Sequence, residues 1–266
     1  MTAYRTCTER DIPALKSLWL SCFEECEDAA DLFFQHNRSL CHAYACETDG
    51  RLISALYLID CTLNGDRAHY LCGAATLSAY RGQGHMSALI EYALQDAKQR
   101  GDRCSLLMPA SDSLYGFYAR FGYRPSCAIK STILSTNSDR EIHSGSPDLT
   151  KLQAECCKEN FLLWNESFIR FAALYYGCYG SETVQSENAF AVFQRDGDFA
   201  DVYYAVYDSI EGLQALLAAE KIKRFRLNGA ADCPLFEGGI TKPFGMILPL
   251  HGHRAAENVY IGITLQ

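Results

Sequence analysis

The sequence predicts an α/β (α+β) fold in which helices flank a mixed central β-sheet, followed by a second, degenerate copy of the same unit. Three observations predict it. Strand-like and helix-like apolar periodicities alternate along the first 135 residues. A long polar stretch rich in Ser, Gly and Pro, residues 135–149, then interrupts the chain. Segments after this stretch repeat segments before it, in the same order.

The first half contains recognisable strands, helices and turns. Glu9 to Cys22 has the spacing of an amphipathic helix, and Asp49-Gly50 is a strong hairpin signal between two apolar runs. The predicted elements are a strand "AYRTCT", a helix 9–22, a hairpin 42–63, a strand 68–77, a helix 86–100 that ends at Gly101, a buried strand 104–108 and a short helix 111–121.

The repeat suggests two domains. "LWLSCF" at 18–23 recurs as "LWNESF" at 163–168, and Asp49-Gly50 is matched by Asp196-Gly197. The predicted boundaries are 1–135 for a first domain, 136–149 for a linker or hairpin tip, and 150–266 for the degenerate domain. In the second domain a helix at 209–220 follows the hairpin directly, so we expect no counterpart of strand 68–77 or of the turn after it.

Composition excludes several classes. The chain has 266 residues, 48% hydrophobic content and a formal net charge of −8. Without a run of Lys or Arg it is not expected to bind nucleic acid, whereas a cationic amine is a compatible partner. No apolar run is long enough to span a membrane, and no signal peptide is evident. Thirteen cysteines without a Cys-x-x-Cys pair predict reduced thiols, no metal and a cytoplasmic location.

The segment "YRGQGHMSAL" places two glycines immediately before a helix. The first amides of a helix have no partner within the helix and attract anions. A nucleoside-triphosphate loop would require Lys after Gly84, and a dinucleotide fingerprint would require glycine where Ser87 stands. From the residues alone, an anion-binding loop and a plain tight turn both remain open.

"TLSAYRGQGHMSAL" resembles the acyl-CoA pyrophosphate loop of the GNAT superfamily of N-acyltransferases, whose pattern is Gln/Arg-x-x-Gly-x-Gly/Ala. Arg81 and Gly84 occupy its first and fourth positions, and Met86 departs from it at the sixth. "FYARFGY" at 117–123 resembles the superfamily's Leu-Tyr-x-x-x-Gly-Phe. The resemblance implies the GNAT fold, acetyl-CoA as co-substrate, no metal, and direct acetyl transfer to a primary amine of a small molecule or peptide.

Within the superfamily the chain most resembles the enhanced-intracellular-survival type of aminoglycoside acetyltransferase. The shared features are "RFGY", a large residue at the sixth loop position and a second unit without the CoA loop. Those proteins end in a sterol-carrier-like domain, for which Lys242 to Gln266 is too short, so we expect this chain to lack it. A non-catalytic acyl-CoA-binding or sensor protein is the alternative, and self-association into a homo-oligomer is a further possibility.

The resemblance also implies site residues. Tyr118 is the implied general acid, with Tyr115 as its rival, because a neutral phenol can protonate a departing thiolate. The base is left open among Glu24, Glu25, Glu27 and the terminal carboxylate of Gln266. The implied cofactor-binding residues are Ala74, Ala75 and Thr76 on the strand, Arg81, Gly82, Gln83, Gly84, His85, Met86 and Ser87 in the loop, and Ser113.

Overall fold

A computed structural model describes residues 1–136, 139–156, 159–231, 233–236, 238–252 and 256–265; the side chains of residues 37, 38 and 234 are left out of the description. The chain divides into two compact units. Unit 1 comprises Met1–Pro125 with Gly245–Ala255, and unit 2 comprises Ser126–Phe244 with Ala256–Gln266. None of the helices in the described ranges is long and apolar enough to cross a membrane.

Nineteen helices and strands are used below, numbered along the chain. Those of the first part are β1 (Thr2–Thr6), α1 (Ile12–Cys22), α2 (Glu27–Leu40), β2 (Cys41–Thr48), β3 (Arg51–Leu63), β4 (Asp66–Thr76), α3 (His85–Gln99), β5 (Cys104–Leu107), α4 (Asp112–Ala119) and β6 (Arg124–Ser135). Those of the second part are α5 (Leu149–Cys156), β7 (Leu162–Trp164), α6 (Glu166–Gly177), β8 (Glu182–Ser186), β9 (Ala189–Asp196), β10 (Phe199–Tyr207), α7 (Ile210–Ala219), β11 (Arg224–Ala230) and β12 (Ile240–Pro249).

Unit 1 has the predicted mixed sheet. Strands β1 to β4 are neighbours in chain order and pair antiparallel, whereas β4 and β5 are parallel and are joined by α3. Residues 246–249 of β12 pair antiparallel with β5. A parallel pair needs a crossover connection, and α3 provides it.

The core of unit 1 follows the apolar periodicity of its helices. Helix α3 buries the stripe that the sequence predicts, which consists of Leu89, Ile90, Ala93, Leu94 and Ala97. Helix α1 buries Trp19, whose ring stacks on Phe33 of α2 at 4.7 Å and meets the ring of Tyr57 of β3 at 5.5 Å. Met246 and Leu250, from the far end of the chain, are buried in the same core as α3.

The segment β8 to β11 of unit 2 repeats the order of elements from β2 to β5 of unit 1, although not with the alignment predicted from the sequence. Its sheet has the order β6-β11-β10-β9-β8, and β10 is parallel to β11 and joined to it by α7. Strand β10 is therefore the counterpart of β4, and α7 the counterpart of α3. The expectation that strand 68–77 has no counterpart was wrong. The misalignment arose because the short polar strand β8 gave no apolar signal, so the turn Asp196-Gly197 was equated with Asp49-Gly50 instead of Asn64-Gly65.

The compact units differ from the predicted boundaries at both ends. The predicted first domain ended at residue 135, but residues 129–135 of β6 pair with β11, and the chain belongs to unit 2 from Ser126 onward. The last strand supplies residues 245–249 to unit 1. Both exchanges are made by pairings between strands far apart in sequence, which local periodicity does not encode. Residues 137 and 138 of the predicted linker lie outside the described residues.

Candidate active site

The site starts where the pairing of two parallel strands ends. Strands β4 and β5 pair only at Ala68↔Cys104, His69↔Ser105 and Tyr70↔Leu106, although β4 continues to Thr76. From Leu71 onward, the edge of β4 that faces β5 therefore has no β5 partner among the described residues. Such an edge presents backbone amides and carbonyls that an extended ligand can pair with, as an added strand would.

A bulge interrupts β4 in this unpaired stretch. Tyr57 pairs with Cys72 and Ala55 pairs with Ala75, so Gly73 and Ala74 together face one residue of β3. Gly73 has a φ of +59°, and a Cβ added to it would lie 2.4 Å from Cζ3 of Trp19 and 2.7 Å from Cδ2 of Tyr57. Glycine is therefore required both by the backbone angle and by the close approach of the two rings. The bulge redirects the backbone groups of Gly73 and Ala74.

The loop after β4 presents free amides at the start of α3. Gly82 and Gly84 have φ angles of +75° and +84°, and an added Cβ at either would meet no atom within 4 Å. Within the described residues, no backbone amide from 82 to 87 donates a hydrogen bond to the protein. Arg81 holds the loop to the strand, because its Nε donates to the carbonyl oxygen of Thr76 at 2.9 Å. This arrangement suits an anion at a helix N-terminus.

The other predicted cofactor-binding residues are placed as follows. The side-chain amide of Gln83 donates a hydrogen bond from Nε2 to the carbonyl oxygen of Ala79 at 3.0 Å, so this side chain braces the loop. The ring of His85 lies beside Tyr80, and Met86 packs into the core under α3. Ser54 of β3 fixes the last residues of β4 by donating to the carbonyl of Ala75 and by hydrogen bonding to the Thr76 hydroxyl. Ser87 is half-buried, and the exposed Ser113 bonds Ser111.

Tyr118 is a buried phenol on α4. Its ring contacts the rings of Phe117 and Tyr123, and the side chain is 7% exposed. Its hydroxyl forms no hydrogen bond within the described residues, so it is free to donate to a ligand. Burial, with a smaller contribution from Cys72, raises the pKa of Tyr118 to about 12. The rival Tyr115 is half-buried against the same core.

Among the candidate bases, the structure distinguishes Glu25 from Glu24. The indole nitrogen of Trp19 donates a hydrogen bond to a carboxylate oxygen of Glu25, which is half-buried. Glu24 is exposed and has no hydrogen bond or ion pair with a described residue. Because the Trp19 ring also touches the Gly73 position, Glu25 is anchored beside the bulge. Gln266, the last candidate, lies outside the described residues.

Cys72 interacts electrostatically with both Glu25 and Tyr118, and it was not among the residues predicted from the sequence. Burial first, and then the charge of Glu25, raise the pKa of this thiol to about 12, and Cys72 in turn contributes to the raised pKa of Tyr118. The contacts support this grouping, because Trp19, which holds Glu25, approaches Gly73, and Tyr118 packs in the same core as Ala74. The available signal was the position of Cys72 immediately before Gly73 in the predicted strand. The cysteines that the structure describes are free thiols, and no group of His, Cys, Asp or Glu in that part of the chain is arranged to hold a metal.

The corresponding part of unit 2 is built differently. Strands β10 and β11 pair over four residues, one more than β4 and β5, and residues of both strands line a cavity of about 30 Å³ that includes Tyr204, Tyr207 and Asn228. Helix α7 follows β10 after only Asp208 and Ser209. The Ser209 hydroxyl accepts from the amide of Gly212 at 3.2 Å, which occupies a first-turn amide. Asp208, beside the same helix end, is held in an ion pair with Arg140 at 2.5 Å.

Comparison with known proteins agrees with this geometry. Residues 3–126 match the family described as the acetyltransferase (GNAT) domain. Residues 3–126 therefore form the GNAT domain that the two motifs predicted, and a further β-rich region follows them. No match was found among curated proteins.

Solved structures extend the likeness over both units. A conserved protein of Enterococcus faecalis, described as a probable N-acyltransferase, is 13% identical and covers 94% of this chain and 72% of its own, with a TM-score of 0.72. Eis1 of Mycobacterium abscessus is 14% identical and covers 94% and 73%, with a TM-score of 0.69. At these identities the likeness shows a shared tandem fold. A GNAT family N-acetyltransferase (YhbS) of Escherichia coli, solved with CoA, is 22% identical and covers 47% and 69%, with a TM-score of 0.41.

Proposed function

We propose that the chain is an acetyl-CoA-dependent N-acetyltransferase that moves an acetyl group directly to a primary amine of a small molecule or peptide. The observation that carries the proposal is the continuity of three features in unit 1. Strand β4 carries an unpaired edge with a bulge, and a loop of unpartnered amides follows it before α3. Helix α4 carries a buried phenol with a free hydroxyl. A long acyl donor with an anionic end and a thioester end fits these three features.

The residues present fit this donor. Amides 82–87 would bind the pyrophosphate, and Gly82 and Gly84 leave the backbone open to it because they have no side chain. The edge of β4 at Ala74, Ala75 and Thr76 would pair with the pantetheine arm, and the bulge amides would donate to the thioester oxygen. When bound, the donor supplies an activated acetyl group and a thiolate leaving group.

Two side chains would act as the general base and the general acid. A primary amine with a pKa of about 10.4 is neutral in only about one molecule in a few thousand at pH 7, so a base is needed. Glu25, positioned by the Trp19 indole, would accept the amine's proton directly or through water. Tyr118 would donate its proton to the departing thiolate, and its raised pKa means that it holds this proton at neutral pH.

Isothermal titration is expected to find one CoA site per chain, because Ser209 caps the first turn of α7 and no glycine loop precedes that helix. Gly84→Asp should weaken CoA binding at least about tenfold, since it adds a negative charge and bulk where the phosphate would sit. Gly65→Asp is the matched control, because Gly65 also has a φ of +84° and open surroundings. Equal affinities in the two folded variants would refute the loop assignment.

Glu25→Gln is expected to lower acetyl transfer at pH 7 by about 10²-fold or more, with recovery as the pH approaches the amine's own pKa. The recovery follows because an amine that is already neutral needs no base. CoA affinity should not change. Glu24→Gln is the control and should behave as the wild type at every pH. An identical pH profile for Glu25→Gln and the wild type would remove Glu25 from the mechanism.

A further inference from the structure

Unit 1 contains a second concave surface on which none of the residues named above as acceptor or cofactor contacts lies. It is a cavity of about 280 Å³ between β1, the first half of α1 and the turn that joins β2 to β3. Its walls combine two kinds of side chain. Ala14, Leu18, Leu52 and Leu77 supply apolar surface, and three arginines and two carboxylates supply charge.

One of the three arginines is already neutralised. Arg5 donates from Nη2 to Asp11 at 2.7 Å and from Nε to Glu47 at 3.0 Å. The hydrogen bond from Arg5 is the main reason that the pKa of Asp11 is lowered to about 2. Both carboxylates of the cavity are therefore engaged with Arg5.

The other two arginines have no acceptor. Neither Arg10 nor Arg51 makes a hydrogen bond or ion pair with any residue that the structure describes, and both line the cavity. Three cationic and two anionic side chains leave the lining with a net charge of about +1, whereas the whole chain carries −8. A locally cationic concavity on an acidic protein concentrates small anions.

We infer that this cavity binds a small organic oxyanion, a carboxylate or phosphate monoester with a short apolar group. Arg10 and Arg51 would bind the anionic head, because a guanidinium presents paired donors that match carboxylate and phosphate oxygens. The apolar group would pack on Leu18, Leu52 and Leu77. The cavity volume suits a ligand that is a few heavy atoms larger than acetate, and it is smaller than the volume of sites for drug-sized ligands.

The cavity adjoins the loop but does not share its binding groups. Leu77 follows the last residue of β4, and its amide donates to the carbonyl of Ile53 at 2.9 Å, which fixes this wall to β3. Arg81 reaches back to Thr76, one residue earlier. The anionic ligand would therefore bind beside the loop, and its binding does not depend on the proposed acetyl transfer.

The test titrates the full-length protein with butyrate and, separately, with inorganic phosphate at constant ionic strength, using calorimetry. At least one probe should bind saturably with one site per chain, and the one that binds identifies the head group. Butyramide, which has the same shape without the charge, should not bind. Arg51→Gln and Arg10→Gln should each weaken binding at least about fivefold, whereas Arg124→Gln, a change at an exposed arginine of the same unit, should not.

Three results would overturn the inference. They are no saturable binding of either probe, equal weakening by Arg124→Gln and Arg51→Gln, and displacement of the probe by saturating CoA. The last result would mean that the anion occupies the cofactor loop. The Gly84→Asp variant separates this inference from the proposed function, because it should lose CoA and retain the small anion.

Discussion

Tyr118→Phe is expected to lower kcat for acetyl transfer by about 10² to 10⁴-fold while CoA affinity stays unchanged. The substitution removes one hydroxyl and keeps the ring that packs against Phe117 and Tyr123. Because that hydroxyl bonds no described protein group, its removal breaks no structural hydrogen bond. The effect should therefore fall on proton donation and not on folding.

The raised pKa of Tyr118 also predicts how the rate depends on pH. A general acid must be protonated, and a free phenol loses its proton near pH 10. Burial raises the pKa of Tyr118 to about 12, so its acid form persists about two pH units further. The wild-type rate should show no alkaline fall near pH 10 that is attributable to this residue.

Tyr115→Phe is the control, since it removes the hydroxyl of the rival tyrosine on the same helix. A wild-type rate in Tyr118→Phe combined with a collapse in Tyr115→Phe would transfer the acid role to Tyr115. A folded wild-type protein that binds CoA but consumes no thioester with any amine of a broad panel would instead favour the non-catalytic alternative.

The features of unit 1 that the sequence predicted are those encoded by neighbouring residues. The loop follows from Gly82 and Gly84, whose positive φ angles permit the turn, and α3 follows from its apolar spacing. The features that it did not predict depend on long-range pairing. The placement of residues 246–249 beside β5 joins segments about 140 residues apart, and no local pattern in "GMILP" identifies its partner.

The same distinction applies to the site. Arg81 and Tyr118 could be proposed as site residues from motifs, because their spacing to nearby glycines is short. The choice between Glu24 and Glu25 could not be made from adjacent positions in one loop. It depends on which carboxylate meets the indole of Trp19, and the packing of α1 on β4 decides that. Cys72 was missed because a cysteine in an apolar strand is usually a small core residue.

The largest expected effect on stability comes from Gly73→Ala. The added Cβ would lie 2.4 Å from Cζ3 of Trp19, a distance that requires the ring to move. A positive φ costs a non-glycine residue about 1–2 kcal/mol, and overpacking costs about 1–3 kcal/mol. We therefore expect the free energy of unfolding of unit 1 to fall by about 2–5 kcal/mol.

Gly65→Ala is the matched control for Gly73→Ala. Gly65 has a φ of +84° and no atom within 4 Å of an added Cβ, so this substitution carries the backbone cost without the clash. The two tryptophans allow the measurement to be confined to unit 1, because Trp19 lies there and Trp164 lies in unit 2. In a Trp164→Phe background, urea unfolding followed by fluorescence reports on Trp19 alone, next to the substituted position.

Gly73→Ala should also reduce turnover more than its loss of stability explains. The ring that must move is the one whose indole nitrogen holds Glu25, and the bulge that must change is the one whose amides face the proposed thioester position. Without urea, and at a temperature where the variant is still folded, kcat should fall at least about tenfold while CoA still binds through the loop. If Gly73→Ala matches Gly65→Ala in both unfolding and kcat, then Trp19 does not approach the bulge, and Glu25 loses the contact that assigns it to the site.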